Sequence, residues 1–565
     1  MKATVAFTGF VCAATACAKV GQWPPASTVL PRTRPELTAY TETSHYSDVR
    51  KFLDSLRRLN APLSFGSIGR TNEGREIPYV IASRPRVSTP AEAKLLGRPI
   101  VYVQGNIHAG EVEGKDALLA LLRDLVSSPA PNALDSIVLI AVPVYNADGN
   151  ERFAPQSINR TEQNGPELVG IRANAQNLDL NRDYVKAEAP ETRASLAMFN
   201  AWDPDVFVDL HTTDGSFHGY ALTYSPSLSP AAVFGGVYAR DSLLPVLRDR
   251  MRTRDRLEVF DYGNFLSDER GPADTSRRDG WATYDARPRF GTNYYGIRGR
   301  IAILSEAYSH DPLQRRIAST YAFVNEILSL VAEKARAIRA LSASADSLPL
   351  AWGRSPDSVQ MVAVRSELIA TPKLLGVIKE SLEKTGDSAL TQPGVPLGQR
   401  RSGRFTTITM PVYDRFTSTL DRTPPAAYIV APDDTAIVSL LRLHGIRVDR
   451  SDTAWTARGE SFVIDSVITS ERAFQGHHEV RLRGRWERGA QYLPPASYIV
   501  STAQPRGALV VYLLEPESDD GFTTWNFFDR KLQKGARYPV RRIFDLRRRG
   551  ALQRRTLTTV QPSAN

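Results

Sequence analysis

Two of the eight histidines stand at the ends of apolar, strand-like runs. His108 lies in Gly105-Asn106-Ile107-His108-Ala109-Gly110-Glu111, just after the run Ile100 to Val103. His211 lies in Val208-Asp209-Leu210-His211-Thr212-Thr213-Asp214, closing the run Val206 to Leu210. Strand ends are where open α/β sheets place their ligands. A histidine and a glutamate separated by two residues can converge on one ion if the chain turns sharply between them, and Gly110 offers that freedom. Two histidines and one glutamate form a catalytic zinc set, three protein ligands with a fourth position open. A His-x-x-Glu pair alone is a weak signal, equally read as a surface histidine beside a helix-start glutamate. Three further features strengthen it. Asn181 and Arg182, in Asn177-Leu178-Asp179-Leu180-Asn181-Arg182-Asp183, set an amide beside a guanidinium, a combination that recognises a carboxylate. Glu306 closes the apolar segment Ile303-Leu304-Ser305, where a raised pKa suits a general base. Asn146-Ala147-Asp148-Gly149 follows another strand with turn chemistry.

Such residues need a sheet to hold them. Ile77 to Ala82, Ile100 to Val103, Ile137 to Val144, Val206 to Leu210 and Ile301 to Leu304 read as short buried strands. Helical stretches such as Lys115 to Leu125 lie between them, so the fold class is α/β, a sheet covered by helices. Ser47 to Leu59 carries Val49, Phe52, Leu53 and Leu56 at helical spacing. Asp311-Pro312 starts a helix whose apolar positions run from Ile317 towards Ile338. Ser342 to Pro356, rich in Ser, Ala, Asp and Pro, reads as a linker. Beyond it, Tyr428 to Val430, Ser461 to Ile464, Val480 to Leu482, Tyr498 to Val500 and Leu509 to Leu514 read as strands and Thr435 to Leu443 as a helix. The expected division is a catalytic domain over 40–340 and a mainly β or α+β accessory domain over 357–565. No site residue is expected from beyond Ser342, and truncation near Pro349 should leave a folded catalytic domain unless the interface is large.

The ordered motifs His108-Ala109-Gly110-Glu111, Asn146-Ala147-Asp148-Gly149, Asp179-Leu180-Asn181-Arg182, His211 and Glu306 closely resemble the zinc carboxypeptidase family, the carboxypeptidase A-like metallopeptidases, as a secreted bacterial member. The resemblance covers about Tyr40 to Ile338. It implies a mixed eight-stranded sheet flanked by helices, and one Zn2+ ion held by His108, Glu111 and His211. It further implies Glu306 as general base, Asp179 as the carboxylate orienting His108, and Asn181 with Arg182 as the clamp on the substrate's terminal carboxylate. The family's mobile tyrosine, 22 residues before the base, falls on Tyr284, with Tyr294 and Tyr295 nearby. Its oxyanion arginine has two candidates. Arg160 is nearer the spacing of animal enzymes and is preferred. Arg172 resembles the arginine that many bacterial members carry before the Asp-x-Asn-Arg segment, and is assigned to substrate binding. Side-chain preference is set between tyrosine and base, in Arg287-Pro288-Arg289-Phe290-Gly291-Thr292, where Arg289 would favour an acidic terminal residue and Phe290 an apolar one. The implied reaction is zinc-dependent hydrolysis of the C-terminal peptide bond of a peptide substrate. The alternatives are a zinc endopeptidase or amidase acting on cell-wall peptides, and a binding protein on a decayed peptidase fold.

Composition agrees with an enzyme of this size. The 565 residues are 42% hydrophobic and 23% charged, a globular balance. The net charge of +10 is spread along the chain, mostly as arginine, and gives no argument for nucleic acid. The densest cluster, Arg541, Arg542, Arg547, Arg548, Arg549, Arg554 and Arg555, reads as a solvated basic tail. Both cysteines, Cys12 and Cys17, fall in a short apolar run after Met1-Lys2 that reads as a signal peptide over residues 1–17. That run is shorter than the roughly 20 residues needed to span a bilayer, and no later segment qualifies as transmembrane. Thr15-Ala16-Cys17 also resembles a lipoprotein cleavage site, so a lipid anchor at Cys17 and simple secretion both stand. Either exports the chain, to the periplasm, to the outer membrane as a lipoprotein, or outside the cell. The mature chain then has no internal disulfide and depends on its core. His218, His310, His444, His477 and His478 read as packing or surface histidines, and Glu515, Glu517, Asp519 and Asp520 as a solvated turn.

Overall fold

The computed structural model of the chain describes residues 30–59, 61–267, 279–352, 361–387, 392 and 394–546. The signal segment with Cys12 and Cys17, and the arginines from 547 onward, lie outside the described residues. Along Ile100–Gly105 every residue is buried, but the side chains alternate between two cores: Ile100 and Tyr102 join one, Val101 and Val103 the other. This is a strand covered on both faces. The sheet it belongs to contains β1 (Leu63–Arg70), β2 (Glu76–Ala82), β3 (Ile100–Gly105), β4 (Val138–Val142), β5 (Val206–Thr212), β6 (Leu222–Pro226), β7 (Val259–Asp261) and β8 (Ile301–Ala307). Their order is β1-β2-β4-β3-β5-β8-β6-β7. Strands β4, β3, β5 and β8 run parallel at the centre; β2 pairs antiparallel with β4 and β1, and β6 pairs antiparallel with β8 and parallel with the edge strand β7. This is the expected mixed eight-stranded sheet.

Helices α1 (Tyr46–Arg58), α2 (Glu113–Ser127) and α5 (Leu313–Glu333) cover one face with Val49, Phe52, Leu56, Leu118, Leu122, Phe323 and Ile327. On the other face, α3 (Pro190–Trp202) and α4 (Gly291–Ile297) contribute Phe199, Trp202, Tyr294 and Tyr295. The stretch read as a linker is helical as far as Trp352, in α6 (Ala335–Trp352). Its buried residues Ile338, Ser342, Ala345, Pro349 and Trp352 follow a helical period, hidden in the sequence because most of them are small.

The C-terminal region holds a second, antiparallel sheet of β9 (Ala427–Val430), β10 (Asp449–Arg450), β11 (Trp455–Thr469), β12 (Val480–Leu493), β13 (Tyr498–Ser501) and β14 (Arg541–Ile543), in the order β10-β13-β9-β14-β11-β12. Helices α7 (Thr435–Leu443) and α8 (Gly507–Leu514) pack with it. The run Leu509 to Leu514 is therefore a helix, because a short continuous apolar run fits a buried helix as well as a strand. The two regions share one core, in which Phe199, Trp202 and Tyr294 belong with Tyr428, Leu441, Phe462, Leu509 and Trp525. Buried polar groups cross between them: the Tyr294 hydroxyl is 2.7 Å from His444 Nδ1, and His444 Nε2 donates to the Val185 carbonyl at 3.1 Å. The large interface that would defeat truncation is thus present. Two charge clusters also differ from expectation. Arg542 is buried over the Trp486 ring and paired with Glu515 and Glu460. Glu515 and Asp520 are fully buried as partners of arginines, so the acidic run is no solvated turn.

Candidate active site

The three parallel neighbours β3, β5 and β8 end side by side, and each delivers part of the site. The loop after β3 presents His108 and Glu111, β5 carries His211, and β8 places Glu306 beside His211 in register. His108 Nδ1 lies 3.0 Å from Glu111 Oε1, and His211 Nδ1 lies 2.9 Å from Glu111 Oε2. All three residues are buried and their donor atoms lie within 4.8 Å of one another. The turn between His108 and Glu111 closes on a Glu111 N–H to His108 carbonyl bond of 3.0 Å. Gly110 serves it by close approach: its φ is not in the left-handed region, and a Cβ there would sit 2.8 Å from Arg160 Cγ and 3.0 Å from the Gly170 carbonyl oxygen.

Each imidazole turns its second nitrogen to a carboxylate. His108 Nε2 is 3.0 Å from Asp179 Oδ1, as the resemblance implied. His211 Nε2 is 3.1 Å from Asp209 Oδ2, a partner the sequence reading missed although Asp209 lies on the same strand face, two residues earlier. Such carboxylates fix ring orientation and tautomer and raise ligand basicity. Burial alone would raise the Glu111 carboxyl, but His108, Arg160 and bonds to both imidazoles hold it well below its ordinary range. Against burial, Asp209 and Glu111 hold His211 well above its ordinary value. The pocket therefore favours a positive charge where the three donors meet, and the donor set suits zinc. Burial pushes the Glu306 carboxyl well above the usual range; His211 pulls it back, and Glu111 and Asp214 push it further.

The two arginines separate clearly. Arg160 is buried behind Glu111, donating to the Thr212 and Thr213 carbonyls at 3.0 and 2.7 Å and approaching Glu111 at 3.2 Å, and it does not line the pocket. Arg172 does line it. Its Nε donates to Asp179 at 2.9 Å, Nη1 is 3.4 Å from Glu111, and its side chain is 40% exposed. Asn181 accepts the Gly291 N–H through Oδ1 at 2.9 Å, and Arg182 stacks on Phe290 with its guanidinium 3.9 Å from the ring centre. Both line the pocket with Tyr284, Phe290, Thr292 and Leu304. Tyr262 and Asp214, not picked out in the sequence, join them. Tyr284 packs edge-on between Tyr262 and Phe290, whereas Tyr294 and Tyr295 are core residues.

Arg289 does not face the pocket. It is buried against the C-terminal region, with Nε 2.8 Å from Asp520 and Nη1 2.6 Å from Glu479. Of that loop, Phe290 and Thr292 line the pocket. A C-terminal side chain also reaches the site: the Asp179 N–H donates to Gln475 Oε1 at 2.8 Å, against the expectation that nothing beyond Ser342 would contribute.

Residues 49–234 match the family model described as zinc carboxypeptidase. Carboxypeptidase 2 of Trichophyton rubrum is 24% identical over 512 residues, covering 87% of this chain and 85% of that protein. Human Carboxypeptidase Z is 35% identical over 124 residues, 21% of this chain and 18% of that protein. A metallo-carboxypeptidase structure from Burkholderia cenocepacia covers 52% of this chain and 71% of its own, at 19% identity and a TM-score of 0.37. The family match spans His108, Glu111, Asp179, Arg182 and His211. Residues 49–234, which carry the three candidate donors, are thus similar to the zinc carboxypeptidase family, and together with the relatives this supports a metallocarboxypeptidase with a zinc cofactor.

Proposed function

We propose that this enzyme releases the C-terminal residue of peptides, with His108, Glu111 and His211 holding zinc, Glu306 moving the proton, and Asn181 with Arg182 holding the terminal carboxylate. What carries the reading is one pocket in which the three donors, Glu306, Arg172 and the Asn181-Arg182 pair face one another. Zinc, when bound, supplies Lewis acidity to a water and to the scissile carbonyl. Glu306, kept basic by burial, takes the proton of the attacking water and returns it to the leaving amine. Phe290 and Leu304 offer the terminal side chain an apolar wall, which Tyr284 extends by packing edge-on to Phe290. Export by the N-terminal segment suits an enzyme acting on external peptides, and no helix among the described residues is long and apolar enough to cross a membrane.

The test compares a peptide with its C-terminal amide. Charge-assisted bonds to a carboxylate are worth about 1.5–3 kcal/mol each, so the amide should lose on the order of tenfold to a hundredfold in kcat/KM. Arg182→Met should narrow that gap with zinc content unchanged. Equal cleavage of both forms by wild type would replace this reading with the endopeptidase or amidase one.

Arg172, open to the pocket, is assigned the developing oxyanion, and Arg160 the task of holding Glu111 and the end of β5. Arg172→Ala should then lower kcat by about 10²–10³-fold with little change in melting temperature. Arg160→Ala should mainly lower stability and zinc affinity, since two buried carbonyls lose their donor, at about 1–3 kcal/mol each. Kinetics and thermal melts on both variants check the assignment, and the reverse pattern would exchange the two roles.

A further inference from the structure

The ribbon of β11 and β12 ends in a tight turn, Phe474-Gln475-Gly476-His477, closed by paired bonds of 2.7 and 3.0 Å between Phe474 and His477. Both central residues have positive φ, +49° at Gln475 and +79° at Gly476, as in a two-residue type I′ turn. Asn, Asp and Gly are the residues suited to the first of those positions; a glutamine there is strained. A local rule broken in this way is expected where the side chain has another task. Here the side chain reaches the active site, across 296 residues of sequence, and accepts the Asp179 N–H at 2.8 Å. The segment leading to Asp179 satisfies its own amides from within, since Asn174 Oδ1 accepts from Gln176 and Leu178 at 2.9 and 3.0 Å. The Asp179 N–H is the one that takes its partner from the C-terminal region.

The turn is anchored on both sides. His477 Nε2 is 2.9 Å from Glu188, and at the base of the ribbon Glu479 grips Arg289, whose neighbour Phe290 lines the pocket. Arg289 also stacks on Trp525 at 4.5 Å and Phe474 at 5.3 Å. The C-terminal region therefore holds the segments bearing Asp179 and Phe290 from one side.

We propose that Gln475 is a positioning residue of the catalytic site: by fixing the Asp179 backbone it sets the carboxylate that holds His108 and Arg172. The inference rests on Asp179 being the partner of His108 in the zinc enzyme. Three variants of the full chain test it. Gln475→Gly removes the amide and relieves the backbone, so a residue needed only for the turn would be replaced without loss. The expected result is a melting temperature equal to or above wild type, with zinc affinity and kcat each lowered about three- to tenfold and KM little changed, at or below the low end of effects for partners of metal ligands. Gln475→Ala should lose the same function and also stability. Gln475→Glu keeps an acceptor of the same reach and should restore zinc affinity to within about twofold of wild type, following the same principle. Wild-type zinc affinity and kcat in Gln475→Gly overturn the proposal, as does a loss that Gln475→Glu fails to restore. Zinc affinity is read by chelator competition without any substrate, so a wild type that binds zinc but lacks carboxypeptidase activity would sink the proposed function and leave this test standing.

Discussion

Replacing Glu306 by glutamine is expected to leave zinc bound and to cut kcat by about 10²–10⁴-fold, the usual contribution of a positioned general base. Glutamine keeps the shape of the side chain at the end of β8 and removes only its capacity to take a proton. Nothing in the coordination set changes, because Glu306 makes none of the short contacts among His108, Glu111 and His211. Alanine at any of those three positions should behave otherwise, losing zinc and activity together. Each is one of three donors, and Glu111 is also the point on which both imidazoles and the Thr212 N–H converge. Metal analysis beside single-turnover kinetics separates the two classes. Zinc lost from Glu306→Gln would move that residue into the coordination set, and full activity would pass the proton to another group.

The candidate site residues His211 and Glu306 were legible because they close short apolar runs that read as strands. Val206 to Leu210 and Ile301 to Leu304 are short and, but for Asp209, apolar, and a buried parallel sheet sets their ends side by side. Asp209 was also within reach of that logic, since alternation along β5 puts it on the face of His211. Other features depend on where a side chain turns or on what packs against it from far away. Spacing could not separate Arg160 from Arg172, because both follow loops whose course is set by contacts such as Asn146 Nδ2 to the Arg172 carbonyl. Arg289 looked like a specificity residue until Asp520, 231 residues later, took its guanidinium. The helix α6 was hidden by composition: small buried residues give little contrast between a packed face and a linker.

Cutting the chain after Trp352 is expected to abolish folding, and with it zinc binding and activity. Phe199, Trp202, Tyr294, Ile297 and Trp352 lie in the same core as Tyr428, Leu441, Phe462, Leu509 and Trp525. Uncovering four or five such side chains, at about 1.5–3 kcal/mol each, removes as much free energy as the roughly 5–15 kcal/mol that holds a whole domain together. Polar losses add to this. Arg289 would lose both Asp520 and Glu479 together with the rings that cover it, and Tyr294 would lose His444. The measurement is a melt of residues 30–352 beside the full protein, followed by zinc content and peptide hydrolysis. A cooperative transition with stoichiometric zinc and undiminished turnover would show the C-terminal region to be a separable accessory domain after all, and would equally remove the ground for a positioning role at Gln475.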